Sequence, residues 1–204
     1  MGESGSSVMI KYRQVEDYVL NILKHQLNPA LTYHGVHHTL DVLNSAVLIA
    51  DNEKVPQEDI DLLRIAVVLH DAGFIYVYKG HEEKGCEMSR DLLPGYGFNE
   101  QQIERICGAI RATRVPQQPT THLERIIADA DLDYLGRDDF YPIASTLFEE
   151  MKHFFNMNDE KEWNRIQVTF LKQHRYHTDF GIQKRDPMKQ QRIRELESNL
   201  LARG

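Results

Sequence analysis

Residues 62–73 read LLRIAVVLHDAG, the most apolar segment of the chain, and it ends in a histidine, an aspartate and a small turn. Its composition predicts a buried helix, but Arg64 interrupts it and it is far too short to cross a membrane. Ionisable groups such as His70 and Asp71 are costly to bury among Val and Leu unless they are paired or coordinate a metal ion. This segment therefore predicts both a helical core and a candidate site inside it.

Helical spacing of apolar residues continues on both sides of this segment. Val42, Ala46 and Ile49 recur at three- and four-residue steps, which indicates a helix with one apolar face. Two capping-box patterns mark the starts of later helices: Asn99 with Gln102, and Thr121 with Glu124. No pair of alternating segments joined by a tight turn predicts a hairpin. We therefore expect an all-α bundle of about eight helices.

Length, charge and cysteine content exclude several classes of protein. The 204 residues favour one domain. The net charge of −7 argues against a protein that coats duplex nucleic acid, and no apolar segment is long enough for a membrane span. The two cysteines are too few for a disulfide scaffold. The first residues lack the features of a signal peptide, which predicts a cytoplasmic protein, and residues 1–7, rich in Gly and Ser, are expected to be disordered.

Two further clusters of metal-binding residue types flank the apolar helix. TYHGVHHTLDV, residues 32–42, contains three histidines. Helical spacing would put His34 and His38 on one face, with about 5–6 Å between their Cβ atoms, and turn His37 elsewhere. IIADADLDYLG, residues 126–136, contains three aspartates in an apolar stretch. Each cluster alone also fits a hydrogen-bonded core histidine, a polar helix face or a charged helix end.

Together the clusters supply nitrogen and oxygen ligands from three helices. A mixed set of imidazoles and carboxylates suits Mn²⁺, Fe²⁺, Zn²⁺, Co²⁺ or Mg²⁺ rather than a metal that seeks thiolates. A single shared ion explains why ionisable groups occur at three apolar places in one small chain. The sequence therefore predicts a divalent metal ion as cofactor and leaves open whether one or two ions bind.

The order His…His-Asp…Asp on helices resembles the signature of the HD-domain superfamily of metal-dependent phosphohydrolases. The resemblance covers residues 33–136 and implies a single HD-type helical domain over residues 8–204, with a C-terminal helical extension over 137–204. It implies that His38, His70, Asp71 and Asp131 hold the ion, because members with an Asp-x-Asp pattern generally use the second carboxylate. Asp129 stays the alternative for the fourth ligand.

The resemblance also implies an activity. YHGVHHTLDV is similar to a helix of cyclic-nucleotide phosphodiesterases in which a histidine four residues before the ligand acts as general acid, which would be His34 here. The implied reaction is cleavage of a phosphoester or phosphoanhydride bond in a nucleotide or another small phosphorylated metabolite by attack of a metal-bound hydroxide. Asp71 would orient that water or bridge a second ion.

Substrate contacts and rival functions stay open at this point. His81, in KGHEEKG, is either a contact to phosphate, a ligand of a second ion or a surface histidine, and Lys79 and Arg111 are candidates to bind substrate phosphate. Related two-metal proteins have a further histidine where this chain has Thr113. The alternatives are a non-catalytic regulator that binds a nucleotide and an HD-type di-iron oxygenase. Association also stays open, with a homodimer as one alternative, since helical proteins of this size often associate through apolar faces.

Overall fold

The computed structural model describes the backbone of residues 3–202 and the side chains of residues 11–202. Nine α-helices lie within this range, joined by loops and short 3-10 or π turns. They are α1 (Glu3–Gln26), α2 (Val36–Asn52), α3 (Gln57–His70), α4 (His81–Leu92), α5 (Glu100–Ala112), α6 (His122–Asp131), α7 (Phe140–Phe155), α8 (Glu160–Gln173) and α9 (Asp186–Ala202).

The prediction of an all-α bundle is confirmed, with nine α-helices among the described residues instead of about eight. No helix in this part of the chain is long and apolar enough to cross a membrane. The backbone of residues 3–7 continues α1, whereas the sequence predicts disorder for residues 1–7; residues 1–2 lie outside the described part. Extending an existing helix by one turn costs little, because nucleation is the unfavourable step.

Helix α3 is the central element of the larger core. It packs against α1, α2, α4 and α5, and its residues from Ile65 to Leu69 are fully buried. Burial of each such Val, Leu or Ile side chain contributes about 1.5–3 kcal/mol. Because α3 is enclosed on all sides, its C-terminal residue His70 lies in the interior instead of at the surface.

A second apolar cluster lies towards the C-terminal part of the chain. It joins the 3-10 turn Asp133–Gly136 to α7, α8 and α9 through residues such as Leu135, Phe140 and Leu171. The two clusters meet where α6 ends, at Asp131 and Leu132. The junction of the two cores is therefore next to the residues that the sequence singles out.

Both predicted capping boxes are present. The Asn99 side chain accepts a hydrogen bond from the Gln102 backbone N–H at the start of α5. The Thr121 hydroxyl accepts one from the Glu124 backbone N–H at the start of α6. Such caps satisfy N–H groups that have no partner within the helix. The cap at Thr121 sets where α6 begins, and Asp131 is its last residue.

Candidate metal centre

Three helix ends bring four predicted ligands together. His38 comes from the first turns of α2, His70 and Asp71 from the end of α3, and Asp131 from the end of α6. His38 Nε2 lies 3.1 Å from Asp131 Oδ1, and His70 Nε2 lies 3.1 Å from Asp71 Oδ2. The crossed distances, His38 to Asp71 and His70 to Asp131, are both 3.5 Å. Two ligand atoms that each lie about 2 Å from one shared ion are separated by distances close to these four.

The hydrogen bonds of the centre leave metal-ligating atoms free to bind an ion. The carbonyl oxygen of Val67 accepts a hydrogen bond of 2.6 Å from His70 Nδ1, so the proton of a neutral ring is on Nδ1. His70 Nε2 and Asp71 Oδ2 are buried and have no hydrogen-bond partner. Buried polar atoms without partners are costly. The residues present therefore fit a divalent cation, and His38, His70 and Asp71 form the group with suitable ligand geometry.

The electrostatics of the centre favour a positive charge. Burial by itself disfavours charge on each group, yet the attraction of Asp71 to His70, and of Asp131 to His38 and His70, is stronger. The pKa of Asp71 and that of Asp131 are both lowered, and the pKa of His70 is raised well above its usual value. Two carboxylates in an enclosed site require a compensating positive charge, which a bound cation would supply.

The structure brings Asp131, and not Asp129, to the centre. The Asp129 carboxylate faces the other way and accepts hydrogen bonds from the backbone N–H groups of His177 (2.8 Å) and Thr178 (2.9 Å). It also accepts one of 2.7 Å from the Thr178 hydroxyl. A Cβ at Gly181 would overlap with the same carboxylate. Asp129 thus anchors the segment between α8 and α9 to α6.

This division of roles predicts different effects for two similar substitutions. Asp131→Asn should weaken metal binding by at least about 100-fold, because an amide is a poor replacement for a charged ligand. Asp129→Asn should keep metal affinity and lower the free energy of unfolding by about 1–3 kcal/mol, because a buried acceptor of backbone N–H groups is lost. Metal titration and urea unfolding of both variants measure the two effects. Equal metal affinities would contradict the assignment.

A cavity opens at the metal centre. His34 lines this cavity from a bend and not from a helix. The sequence analysis places it on one helical face with His38, but α2 begins only at Val36, with Gly35 as its N-cap. The His34 ring stacks on Phe74 with 4.3 Å between ring centroids. Its Nδ1 lies 2.5 Å from Glu150 Oε1, and a carboxylate can only accept, so this nitrogen carries the proton. Nε2 takes no part in this hydrogen bond, and His34 lines the cavity at the metal centre.

Glu150 is a site residue that the sequence analysis missed. This α7 carboxylate is completely buried, and it accepts hydrogen bonds from the backbone N–H groups of Tyr33 and His34 and from the Tyr78 hydroxyl. Burial raises its pKa, but the hydrogen bonds from His34 and the backbone outweigh burial and the net shift is downward. Glu150 lies in the apolar stripe of α7, between Leu147 and Phe154. A charged residue in an apolar stripe is the sequence signal that indicates a site residue here.

His81 also lies at the centre. Its Nδ1 is 3.1 Å from the carbonyl oxygen of Tyr78, and its Nε2 is 3.5 Å from Asp71 Oδ1. Its ring also stacks on Phe74, with 3.8 Å between centroids. Asp71 therefore presents one oxygen to His38 and His70 and the other to His81. The close approach of the turn after Asp71 to α4 requires Gly73, because a Cβ there would overlap with the backbone of His81.

The two basic residues predicted to bind substrate lie elsewhere. Arg111 is held by Glu83 through its Nε (3.0 Å) and Nη2 (2.8 Å). Lys79 is exposed in the loop before α4. Neither lines the cavity at the metal centre. Glu83, two residues after His81, faces Arg111 across α4 and α5, and the sequence does not show this pairing.

The features above define a class: an all-helical protein with an interior centre of two imidazoles and two carboxylates suited to a divalent ion. The family model of the HD domain matches residues 35–133, which contain all four of these residues. Residues 35–133 of the chain are therefore an HD domain.

Three known proteins show how far the similarity extends. An uncharacterized protein of Clostridium beijerinckii is 32% identical over 84 residues, and the match spans 40% of this chain and 53% of that protein. This chain thus spans about half the length of that curated relative. The crystal structure of a predicted HD superfamily hydrolase from an uncultured Thermotogales bacterium is 26% identical, with a TM-score of 0.53 over 78% of this chain and 88% of that one.

The crystal structure of Bacillus subtilis YpgQ in complex with ADP is 19% identical, with a TM-score of 0.63 over 95% of this chain and 96% of that one, which shows that the folds are alike. The family match and the His-His-Asp cluster agree on a centre for a divalent metal ion within an HD domain.

Proposed function

We propose that the protein is a phosphohydrolase that cleaves a phosphoester or phosphoanhydride bond in a small phosphorylated metabolite. One observation carries the proposal: His70 Nε2, which has no hydrogen-bond partner, lies 3.1 Å from Asp71 Oδ2 and 3.5 Å from Asp131 Oδ1, and both aspartates line the same cavity as His34. A centre for a cation and a proton donor beside it are the two parts that hydrolysis of a phosphate ester requires.

His38, His70, Asp71 and Asp131 would hold the ion. When bound, the ion supplies Lewis acidity toward a phosphoryl oxygen and lowers the pKa of a coordinated water from about 15.7 towards 7. Asp71 Oδ1, which faces His81, is placed to accept a hydrogen bond from the attacking water. His81 then limits how the Asp71 carboxylate can rotate.

His34 is the proton donor in this proposal. Burial lowers its pKa, but the hydrogen bond to Glu150 and the charge of Asp71 raise it further, and the net shift is upward. The imidazolium is therefore more populated near neutral pH than in a free histidine. With Nδ1 bound to Glu150, the proton on Nε2 is the one that can pass to the leaving oxygen.

The test is a screen of metals against substrates. Protein stripped of metal and reloaded with Mn²⁺, Co²⁺, Mg²⁺, Zn²⁺ or Fe²⁺ is assayed for phosphate release from a panel of phosphate monoesters and nucleotides. Nucleotides belong in the panel because YpgQ was crystallised with ADP. We expect turnover that depends on the metal. Tight nucleotide binding without turnover under any metal would overturn the proposal and favour a non-catalytic regulator.

A further inference from the structure

The cavity at the metal centre extends far beyond the space that a phosphoryl group needs. Its volume is about 500 Å³, within the range of about 300–1,000 Å³ typical of small-molecule sites. Its polar lining residues include His34, Asp71, His81, Glu82, Thr113, Asp131 and Gln167. The remaining wall comes largely from the 3-10 turn at residues 133–136, α7 and α8, and its side chains include Leu135, Phe140, Leu147, Met151, Trp163 and Phe170.

No lysine or arginine among the described residues lines this cavity. Arg111 is paired with Glu83, and Arg114 Nε lies 3.6 Å from Glu82 Oε2. The acidic residues Asp71, Glu82 and Asp131 all line the cavity. Proteins hold additional phosphate groups with arginine or lysine. A second or third phosphate of a substrate would therefore find no arginine or lysine in this lining. It would meet the two histidines, uncharged polar side chains, carboxylates or the apolar wall.

We infer that the substrate is a phosphate monoester whose single phosphoryl group lies at the metal centre and whose uncharged, mainly apolar body fills the cavity. This inference rests on the proposed phosphohydrolase function and specifies its substrate class. One water is consumed: its oxygen bonds to phosphorus and the ester P–O bond breaks. The leaving oxygen takes a proton, so that inorganic phosphate and an alcohol are released.

The chain length of simple esters measures the contribution of the apolar wall. Burial of each methylene group is worth enough to improve binding about fourfold. We therefore expect kcat/KM to rise about fourfold per methylene from ethyl to butyl to hexyl phosphate. ADP and ribose 5-phosphate, with a second phosphate or a polar body, should be poorer substrates than hexyl phosphate.

Substitutions in α7 test whether this wall is responsible. Leu147→Gln should lower the ratio of kcat/KM for hexyl phosphate to that for ethyl phosphate by about tenfold, since a polar group then faces the apolar body. Met151→Gln, one helical turn further along, has a similar volume and should act in the same direction if Leu147→Gln does not fold. Leu48→Gln is the matched control, because Leu48 is exposed on α2 and does not line the cavity. Its ratio should equal that of the unchanged protein.

Binding of alkyl phosphonates, which have no ester bond to hydrolyse, separates this inference from the proposed function. Calorimetric titration of metal-loaded and metal-free protein should show tighter binding with each added methylene. If this trend appears without turnover of any ester, the proposed function is wrong and the assignment of the cavity stands. If esters are hydrolysed with no dependence on chain length, or ADP exceeds hexyl phosphate in kcat/KM, the inference is overturned and the hydrolase stands.

Discussion

Replacing His70 by alanine is expected to remove bound metal and to lower kcat/KM for the best substrate by at least about 10³-fold. The imidazole of His70 is completely buried, and its Nε2 has no hydrogen-bond partner. Its loss removes one ligand of the ion, and a metal centre contributes several kcal/mol to the stabilisation of the transition state. Asp71→Ala should have an effect of the same size. Elemental analysis and steady-state kinetics measure both quantities.

Controls for this prediction use exposed residues of the same types. His153→Ala and Asp138→Ala change a histidine and an aspartate that face solvent outside the cavity. Both should keep the metal content and the activity of the unchanged protein. Circular dichroism and melting temperatures check that each variant folds. Retained activity in folded His70→Ala protein would refute the metal centre.

Replacing Glu150 is expected to have the second largest effect, on both activity and stability. Glu150→Gln should lower kcat by about 10²-fold or more, because His34 loses the charge that raises its pKa and its contribution as a general acid declines. Glu150→Ala should in addition lower the free energy of unfolding by about 3–5 kcal/mol, because His34 and two backbone N–H groups lose their buried acceptor. Glu149→Gln, on the exposed side of the same helix, is the control.

The stabilising effect of Glu150 should depend on pH in a defined window. The pKa of Glu150 is lowered in the folded protein. Its contribution to the free energy of unfolding is therefore fully present above the pKa of the unfolded state, about 4.3, and is lost as the pH falls through the pKa of the folded state. The pKa of His34 is raised in the folded protein. Its contribution to the free energy of unfolding is therefore fully present below the pKa of the unfolded state, about 6.5, and is lost as the pH rises through the pKa of the folded state.

The pair should therefore contribute most between about pH 4.3 and pH 6.5. Urea unfolding of metal-free wild-type and Glu150→Gln protein across the pH range should give the largest stability difference in that window. A difference that does not change with pH would show that Glu150 acts by packing alone.

Much of the centre was predictable because its chemistry is local in the sequence. His70 and Asp71 end an apolar helix, and the cost of burying charge there indicates a metal ion without knowledge of the fold. Helix periodicity and the two capping boxes likewise depend on residues three or four apart. The choice of Asp131 over Asp129 was different, since it came from a resemblance and the spacing of the residues left both open.

Other features depend on packing between distant parts of the chain. Glu150 is 116 residues from His34, and only the docking of α7 against the bend before α2 brings them together. Arg111 could bind phosphate by its residue type, but it faces Glu83 because α4 and α5 pack side by side. His34 lies in a bend rather than in α2, yet the bend still directs it to the cavity.

The helical class and the metal-binding residue types can be read from the chain alone, since helix formation follows from short-range periodicity and ligand type from side-chain chemistry. The partner of His34 and the size and apolar character of the cavity arise only when the helices pack. These depend on how α6, α7 and α8 pack at the junction of two cores, and such long-range contacts leave almost no trace in local sequence patterns.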